Sequence, residues 1–411
     1  MISKISIGNV RSLDGIEYEF DSGINVICGP NGCGKTTVLE SVFLLAQGFS
    51  FRAKDLKDML RWNQEELVLR GTFNYDGRKT DRAVGVSTAA SARGTNRYKV
   101  CVKENGETLR SAASLFGRCP AVIMQPSDNE LLRGAPEVRR HWLDEILCFR
   151  SSASREILRR YKRILQQRNQ WLREYKREGS AVGGEDLFHV LTDQLVDIGS
   201  KLWVARVSLA AEISPVITGY YRKLSHGVDE ITCAYKSSIL KALDALDIAD
   251  PMDDEEIESA VFKCDGENFS SGSDSICAQA NDVPDESVFR KAFWNKLSGL
   301  EVAERSLGMT LAGPHRDDLD LCASGYEMRS VGSQGQCRSA ALAMRFAAVD
   351  VASQYVGSPI LLLDDIFAEL DVNRREAVAN LIREKNCQVL IATPQAEELP
   401  FDCDKKFSLA L

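Results

Sequence analysis

One octapeptide sets the architecture of this chain: Gly29-Pro30-Asn31-Gly32-Cys33-Gly34-Lys35-Thr36. It has the form G-x-x-x-x-G-K-[ST], the phosphate-binding loop of nucleoside triphosphatases. An apolar run at 24–28 predicts a buried strand before the loop, and an apolar-rich run at 38–46 predicts a helix after it. The glycines let backbone amides turn toward a phosphate, and the helix N-terminus adds positive dipole. The context favours a nucleotide site over a coincidental glycine-rich turn.

Within the loop, Lys35 would reach the β- and γ-phosphates of ATP, and the Thr36 hydroxyl would bind Mg²⁺. We expect the nucleotide to contact the whole loop and the first residues of the helix. The predicted contact residues are Gly29, Pro30, Asn31, Gly32, Cys33, Gly34, Lys35, Thr36 and Thr37.

A second motif lies near the other end of the chain, where the run Ile360-Leu361-Leu362-Leu363 is followed by Asp364 and Asp365. A buried strand that ends in an acid has the pattern of a Walker B element, in which Asp364 would hold Mg²⁺. Asp365 would take the place of the carboxylate that activates water, so Lys35 and Asp365 are the candidate catalytic residues. On its own the run fits a core strand followed by a solvated turn as well as it fits a Walker B element. The phosphate loop in the same chain favours the Walker B interpretation.

Two shorter stretches flank this strand. Glu369-Leu370-Asp371 resembles the loop that follows Walker B in ABC-type ATPases. Upstream, Ser333-Gln334-Gly335-Gln336 precedes a predicted helix and resembles the ABC signature motif. A serine hydroxyl and glycine amides at a helix N-terminus suit a γ-phosphate. In ABC ATPases that phosphate belongs to the ATP of the partner subunit, so these four residues are candidate nucleotide contacts across a dimer.

The amino-acid composition is typical of a globular protein and argues against a membrane or secreted protein. Hydrophobic residues make up 44% of the 411 residues and charged residues 27%, which is ordinary for a globular protein. No apolar run approaches the roughly 20 residues that span a bilayer. The N-terminus has strand-like alternation rather than a signal peptide, so we expect a cytoplasmic protein. The twelve scattered cysteines contain no C-x-x-C pair, which favours reduced thiols over a disulfide framework or a zinc site.

The net charge of −8 is unevenly distributed. Residues 244–286 hold 14 acidic residues and one lysine, and without them the chain is positive by 5. The acidity is therefore local and does not argue against a nucleic-acid partner. Because residues 265–285 are also rich in Ser and Gly, we expect a mobile acidic loop at 244–286.

Periodicity divides the chain into a β-rich beginning, a helical middle and an end in which short strands and helices alternate. Residues 137–178 and 186–213 contain long runs without Gly or Pro, which predict two antiparallel helices with a turn at 179–184. The predicted fold class is α/β: an ABC-type P-loop ATPase head built from both chain ends, with an inserted helical arm. The expected boundaries are 1–120 and 306–411 for the two halves of the head and 121–305 for the arm.

Together these residues resemble the RecF family, the ABC-type ATPases of bacterial recombinational repair. Most of the chain takes part in the resemblance. The matching strings are NVICGPNGCGKTTVLE at 25–40, GFSFR at 48–52, GAPEVRRHWLD at 134–144, YKRILQQRN at 161–169 and AGPHRDDL at 312–319. SMC proteins share the head motifs, but their coiled coils of hundreds of residues do not fit here.

The resemblance implies a weak ATPase whose ATP-dependent, head-to-tail homodimer clamps DNA at gaps or junctions. It further implies RecO- and RecR-like partners and the loading of a RecA-type recombinase. By position, Lys35, Thr36 and Asp364 would bind nucleotide and Mg²⁺, and Ser333 and Gly335 would act across the dimer. Gln125 stands where the glutamine of the ABC Q-loop, near the metal, is expected. Arg11 corresponds to a position near the nucleotide, although a solvent-facing arginine fits equally well.

The chain departs from the ABC pattern at two points. The carboxylate after Asp364 is an aspartate rather than the usual glutamate, which is consistent with slow hydrolysis. No histidine follows the strand predicted at 388–391, and Thr393 occupies the switch region.

A basic stripe is predicted on the arm, because residues 133–178 contain 13 Lys or Arg and six Asp or Glu. Such a stripe suits DNA phosphates without reading sequence, whereas a solvated helix face is the structural alternative. The excess of positive charge favours DNA contact. The candidate residues are Arg139, Arg140, Arg159, Arg160, Lys162, Arg163 and Arg168.

Two other functions share the head motifs. A transporter cassette would have membrane partners, but it usually carries the switch histidine and lacks a basic arm of this size. A catalytically idle nucleotide-binding scaffold remains open if Asp365 does not activate water. The favoured hypothesis is an ATP-switched DNA clamp with no membrane partner.

Overall fold

The computed structural model of the chain describes residues 1–75, 77–89, 97–225, 231–237, 239, 285–323, 326–368 and 370–409, and the statements that follow concern these residues. Nearly all of the predicted acidic loop at 244–286 lies outside them, as does Glu369 after the Walker B strand.

The described strands, in chain order, are β1 (Ile2–Gly8), β2 (Ile16–Glu19), β3 (Ile24–Cys28), β4 (Glu66–Tyr75), β5 (Arg78–Ala89), β6 (Arg97–Glu104), β7 (Glu107–Leu109), β8 (Ala121–Met124), β9 (Ile231–Lys236), β10 (Asp318–Ala323), β11 (Tyr326–Glu327), β12 (Ile360–Asp364), β13 (Gln388–Thr393) and β14 (Lys405–Ser408). The described α-helices are α1 (Lys35–Gln47), α2 (Glu130–Arg133), α3 (Pro136–Arg150), α4 (Ser152–Glu178), α5 (Gly184–Leu224), α6 (Glu286–Leu307), α7 (Met328–Val331), α8 (Gln334–Tyr355) and α9 (Val372–Glu384).

The central layer is a five-stranded parallel sheet in the order β14-β3-β13-β12-β8. Both faces of such a sheet are covered, so its inner strands are largely apolar, and residues 360–363 of β12 are fully buried. The edge strand β14 instead alternates between half-buried and exposed positions. Two of its strands come from the N-terminal part of the chain and three from the C-terminal part. This arrangement confirms the predicted α/β head built from both chain ends.

A second, antiparallel sheet has the order β2-β1-β4-β5-β6-β7. Helix α1 is buried along almost its whole length, and its apolar side chains share one core with those of both sheets. The buried amide of Gln388 also joins the two sheets. Its Nε2 donates to the carbonyl oxygens of Ile2 and Asp21, both at 2.7 Å, and its Oε1 accepts from the Ile2 N–H at 2.7 Å.

The inserted arm consists of α4 and α5, with α6 packed against both. Helix α4 ends at Gly179 and α5 begins at Gly184, so the predicted turn is present and the two helices run antiparallel. Helix α5 continues to Leu224, beyond the predicted 213. Among the described helices, none is both long enough and apolar enough to cross a membrane.

Buried arginines hold the arm together. The guanidinium of Arg168 on α4 lies 2.7 Å from the carboxylate of Glu304 on α6 and donates to the hydroxyls of Thr192 and Thr310. Both members of this ion pair are at most 1% exposed. Every charge at this site therefore depends on a partner from another element, because an unpaired buried charge is costly.

The string at 312–319 forms a second polar cluster, at the base of the arm. The Asp317 carboxylate accepts from Trp203 Nε1 and from Tyr235 Oη, and burial raises its pKa to about 6. Asp318 binds the Arg139 guanidinium through two hydrogen bonds of 2.7 and 2.8 Å. His315 lies between Tyr161 Oη and the Thr310 carbonyl, and burial lowers its pKa to about 4. The residues of this string therefore connect the arm to the head through buried hydrogen bonds and an ion pair.

The structure corrects part of the predicted basic stripe. Arg139 and Arg168 are buried in ion pairs and are not available to DNA. Arg140 is half-buried and donates to the main-chain oxygen of Asp317 at 2.6 Å. The remaining four candidates, Arg159, Arg160, Lys162 and Arg163, are exposed on α4.

Substitution of a buried and of an exposed arginine on α4 should have very different effects on stability. Replacing Arg168 with alanine leaves the Glu304 carboxylate buried without its partner, and we expect a loss of about 3–5 kcal/mol in the free energy of unfolding. The matched variant Arg163→Ala removes an exposed cation from the same helix and is expected to stay within about 0.5 kcal/mol of the wild type. Urea unfolding followed by circular dichroism checks both, and equal losses would contradict the structural role of Arg168.

Candidate functional site

The predicted phosphate loop connects β3 to α1 at the carboxyl edge of the parallel sheet. Its backbone has positive φ at Gly32 (87°) and Gly34 (104°), a conformation that favours glycine. Gly34 is the N-cap of α1 and makes no side-chain cap, so the first amides of the helix are left for another acceptor. This is the geometry that suits an anion at a helix N-terminus.

The first two residues of α1, Lys35 and Thr36, both make side-chain hydrogen bonds at this site. The Lys35 ammonium donates to the carbonyl oxygens of Gly29 at 2.7 Å and Pro30 at 3.0 Å, so it folds back over the loop. The Thr36 hydroxyl donates to Asp364 Oδ1 at 2.8 Å. The structure therefore brings together the Walker A threonine and the Walker B aspartate, which are far apart in the sequence.

The two carboxylates after β12 have different environments. Burial raises the pKa of Asp364, while the Thr36 hydrogen bond and the positive charge of Arg52 act in the opposite direction. Asp365 has a positive φ of 51°, and its N–H donates to the Ala392 carbonyl at 2.9 Å on the neighbouring strand. Aspartate tolerates this left-handed conformation better than most residues. The main-chain position of Asp365, just after the end of β12, is therefore fixed by this hydrogen bond.

Arg52 is a site residue that the sequence analysis missed. It follows α1 in the segment 48–52, which was identified only as part of a resemblance, and its charge acts on Asp364. Ser50 holds this segment, because its Oγ accepts from the N–H of Arg52 at 2.9 Å and its hydroxyl donates to Glu40. The effect of the Arg52 charge on the Walker B carboxylate could have been anticipated only from the way the chain turns after α1.

Gln125 lies beside Asp364. Strands β8 and β12 are parallel with Met124 opposite Leu363, so the next residues on the two strands are neighbours at the same edge. The Gln125 N–H donates to Asp128 Oδ2 at 2.9 Å, and Arg345 Nη2 donates to Asp128 Oδ1 at 2.8 Å. Arg345 belongs to α8, so a chain of hydrogen bonds links this edge of the sheet to that helix.

The signature-like turn opens α8. Ser333 is the N-cap: its Oγ accepts from the Gln336 N–H at 3.2 Å, and Gln336 Oε1 accepts from the Ser333 N–H at 2.9 Å. This reciprocal pair is a capping box, which fixes the first turn of the helix. Ser333 and Gln334 are exposed, so the turn is open to another molecule.

Two further predictions concern residues near the loop. Arg11 is tied to α1, because its guanidinium binds the buried Glu40 carboxylate at 2.8 and 2.9 Å. Thr393 ends β13 one residue after Ala392, the register partner of Asp364, and its hydroxyl donates to the Gln395 carbonyl at 3.3 Å. Within the part of the chain that the structure describes, no cluster of three or more His, Cys, Asp or Glu forms a separate metal site.

Two glycines of the loop predict a graded loss of nucleotide binding. A Cβ at Gly34 would lie 2.5 Å from Leu13 Cδ2, whereas a Cβ at Gly32 meets nothing within 4 Å. Gly32→Ala then bears only the left-handed backbone penalty of about 1 kcal/mol. We expect Gly34→Ala to abolish binding of a fluorescent ATP analogue and Gly32→Ala to weaken it less than tenfold. Equal affinities for the two variants would show that the loop tolerates displacement.

The described geometry can be compared with known proteins. Residues 1–405 match the family described as RecF/RecN/SMC N terminal domain. The DNA replication and repair protein RecF of Geobacter metallireducens is 31% identical over 399 residues, covering 97% of this chain and 94% of that protein. RecF of Heliobacterium modesticaldum is 32% identical, covering 95% of this chain and 92% of its own length.

Solved structures with a similar fold include a RecF protein and an Smc head. The structure of the recombination mediator protein RecF-ATPrS in the RecFOR pathway superposes with a TM-score of 0.78 and 25% identity, covering 100% of this chain and 96% of that one. An Smc head bound to the C-winged helix domain of ScpA has a TM-score of 0.50 at 16% identity and shows a likeness of fold alone. The chain belongs to the RecF family of DNA replication and repair proteins, with the mixed α/β head that this family shares with SMC proteins.

Proposed function

We propose that this protein is an ATP-dependent DNA-binding protein of recombinational repair and replication-fork maintenance, in which ATP joins two copies into a dimer that clamps DNA. The observation that carries the proposal is the 2.8 Å hydrogen bond between Thr36 and Asp364. It unites the phosphate loop with the carboxylate of the buried strand. One structural neighbour is named a recombination mediator protein, RecF-ATP.

The donors at this site fit Mg²⁺. A hydroxyl and a carboxylate oxygen 2.8 Å apart are hard oxygen ligands, which Mg²⁺ takes together with nucleotide phosphates. Thr36 and Asp364 would hold the ion, with Gln125 beside them. When bound, the ion neutralises charge on the β- and γ-phosphates. Lys35 would exchange its two loop carbonyls for phosphate oxygens, while the residues from Gly29 to Thr37 surround the nucleotide.

Hydrolysis is proposed to be slow. Asp365 would orient or deprotonate the attacking water, but its side chain is one methylene shorter than that of glutamate. Its backbone has a left-handed conformation and its N–H is bonded to the Ala392 carbonyl, so the shorter side chain starts from a fixed main-chain position. A weak ATPase of this kind would use hydrolysis to end the bound state.

The dimer would be completed by the signature-like turn. Ser333 and Gln334 are exposed at the N-terminus of a 22-residue helix, and Gly335 and Gln336 follow them. A helix N-terminus favours negative charge. In a head-to-tail pair, each turn would contact the γ-phosphate held by the other copy, so ATP would lie between the two subunits.

DNA would contact the exposed cations of α4. Arg159, Arg160, Lys162 and Arg163 lie within two turns of one helix, and of these only Arg159 has an ion-pair partner among the described residues, Glu156. Such a stripe binds phosphates irrespective of sequence. By analogy with relatives named for the RecFOR pathway, we propose RecO- and RecR-like proteins as partners, with loading of a RecA-type recombinase as the outcome.

The DNA contact predicts a change in salt dependence. Arg160→Ala with Arg163→Ala removes two cations from α4, so the slope of log affinity against log salt should fall by about 1.8. Binding of gapped DNA, measured by fluorescence anisotropy with and without ATP, provides the slope. Lys79→Ala with Lys103→Ala, on the antiparallel sheet, is the charge-matched control. We expect ATP to strengthen binding in the wild type and not in Lys35→Arg. Affinity that is indifferent to both ATP and salt would contradict the clamp.

The dimer predicts a separation of two activities. Ser333→Arg places a long side chain in the proposed interface, so ATP-dependent dimers should be lost in sedimentation experiments. Binding of a fluorescent ATP analogue to the monomer should remain within about twofold, because Ser333 lies outside the phosphate loop. Ser333→Thr, which keeps the N-cap hydroxyl, should retain dimers. If Ser333→Arg still dimerises with ATP, the cross-subunit role of the turn is wrong.

A further inference from the structure

An arginine that neither motif contains lies against the signature-like turn. Arg374 stands in the first turn of α9, and its Nε donates to the Ser339 hydroxyl of α8 at 3.0 Å. Its Nη1 donates to Asp371 Oδ2 at 2.5 Å. A Cβ at position 335 would lie 2.9 Å from Nη1 and 3.1 Å from Nη2, so the glycine at 335 makes room for the guanidinium.

The guanidinium of Arg374 has donor capacity to spare. A guanidinium carries five N–H donors in a fixed fork, and Nη2 has no partner among the described residues. The side chain remains 29% exposed. Ser339 and Asp371 hold the plane of the fork, so its orientation is fixed before any ligand arrives.

A second arginine approaches the same turn from a different element. Arg133, at the end of α2, donates through Nη2 to the Gly332 carbonyl at 2.9 Å. Two guanidinium groups from separate elements therefore contact residues 332–335, at the N-terminus of α8. Guanidinium groups from separate elements that converge on an exposed turn match the requirements of a phosphate group.

Support of α9 does not account for the Arg374 side chain. The N-cap of that helix is Asp371, whose Oδ1 accepts from the main-chain N–H of Arg374 at 2.9 Å. Any residue at 374 would supply this N–H. The pair between Nη1 and Asp371 is half-exposed on the aspartate side, and exposed pairs of this kind contribute little to stability. The hydrogen bond from Nε to Ser339 joins α9 to α8 and leaves Nη2 without a role in this support.

We propose that Arg374 is a phosphate-binding residue of the site between subunits, where its free Nη2 donates to the γ-phosphate of ATP held by a second copy of this chain. The inference rests on the proposed ATP-driven dimer and adds to it the residue that distinguishes a triphosphate from a diphosphate. Asp371 and Ser339 act as positioning residues for the fork, and Gly335 provides the space that the fork occupies.

The first experiment measures dimer dissociation with ATP by analytical ultracentrifugation. A lost charge-assisted hydrogen bond weakens each site about tenfold, and because a symmetric dimer contains two sites, Arg374→Ala should weaken dimerisation about 100-fold. Arg374→Lys should fall in between, because it keeps the charge but not the fork. Arg383→Ala, an exposed arginine of the same helix, is the matched control and should leave the dimer unchanged. Monomer affinity for ATP and ADP, and the midpoint of thermal unfolding, should be unchanged in all three.

The second experiment tests whether Arg374 acts on the partner's nucleotide. Donor-labelled Lys35→Ala is mixed with acceptor-labelled Arg374→Ala, and ATP-dependent energy transfer is recorded at concentrations where neither variant dimerises alone. In a mixed dimer, one composite site joins the intact loop of one chain to the intact Arg374 of the other. We therefore expect energy transfer from the mixture. If Arg374 served its own chain, both sites would be damaged and no signal would appear.

The outcomes separate this inference from the proposed function. A wild type that stays monomeric with ATP overturns both. A wild-type dimer that Arg374→Ala matches in stability overturns only the role of Arg374. A variant that loses monomer ATP binding in parallel with dimerisation, or a mixture that gives no energy transfer, also contradicts the action across subunits.

Discussion

The pairing of β3 with β13 is the constraint on which the rest of the molecule depends. Val26 lies opposite Ile391 in the middle of the parallel sheet, so the strand before the phosphate loop acquires its neighbours from the far end of the chain. That pairing aligns the carboxyl ends of β3, β12 and β13 at one edge. The hydrogen bond between Thr36 and Asp364 follows from this alignment, because neither side chain could reach the other from a separate layer. The arm formed by α4, α5 and α6, which lies between β8 and β12 in the chain, is therefore an insertion between two parts of one head.

Local patterns in the sequence sufficed for the elements around the loop. The strand at 24–28, the loop and α1 follow from glycine placement and apolar runs, and the strand at 360–364 from its aliphatic run and terminal acids. The turn at 179–184 follows from its glycines. Which arginines are buried and which are exposed could not be predicted in this way. An excess of positive charge in the sequence does not show which carboxylate each arginine binds. Arg168 meets Glu304, and Arg139 meets Asp318, across separations that helical periodicity does not encode. The positions of Arg52 and Arg374 depend in the same way on how loops return to the sheet.

Buried ion pairs fix the elements relative to one another. Arg206 joins α5 to Asp144 of α3, and Arg345 joins α8 to Asp128 behind the Gln125 loop. Each pair is directional, so a shift of one helix would leave a charge without its partner. Burial raises the pKa of Glu145, whose carboxylate lies 3.9 Å from the Arg345 guanidinium, to about 7. These ion pairs connect the base of the arm to the edge of the parallel sheet. Because Gln125 and Arg345 both bind Asp128, a displacement of Gln125 would alter a contact of α8.

The assembly of one sheet from both ends of the chain has a consequence for biosynthesis. Strand β3 leaves the ribosome early, yet its partners β13 and β14 are made only after the whole arm. At roughly 5–20 residues per second, the interval between β3 and β13 is on the order of 20–70 s. During that time α1 can pack against the antiparallel sheet, but the part of its core that includes Ile360, Leu362 and Leu390 has not yet been made. The nascent chain consequently has an aggregation-prone first half, and protection by chaperones would matter most before residue 388 has been synthesised.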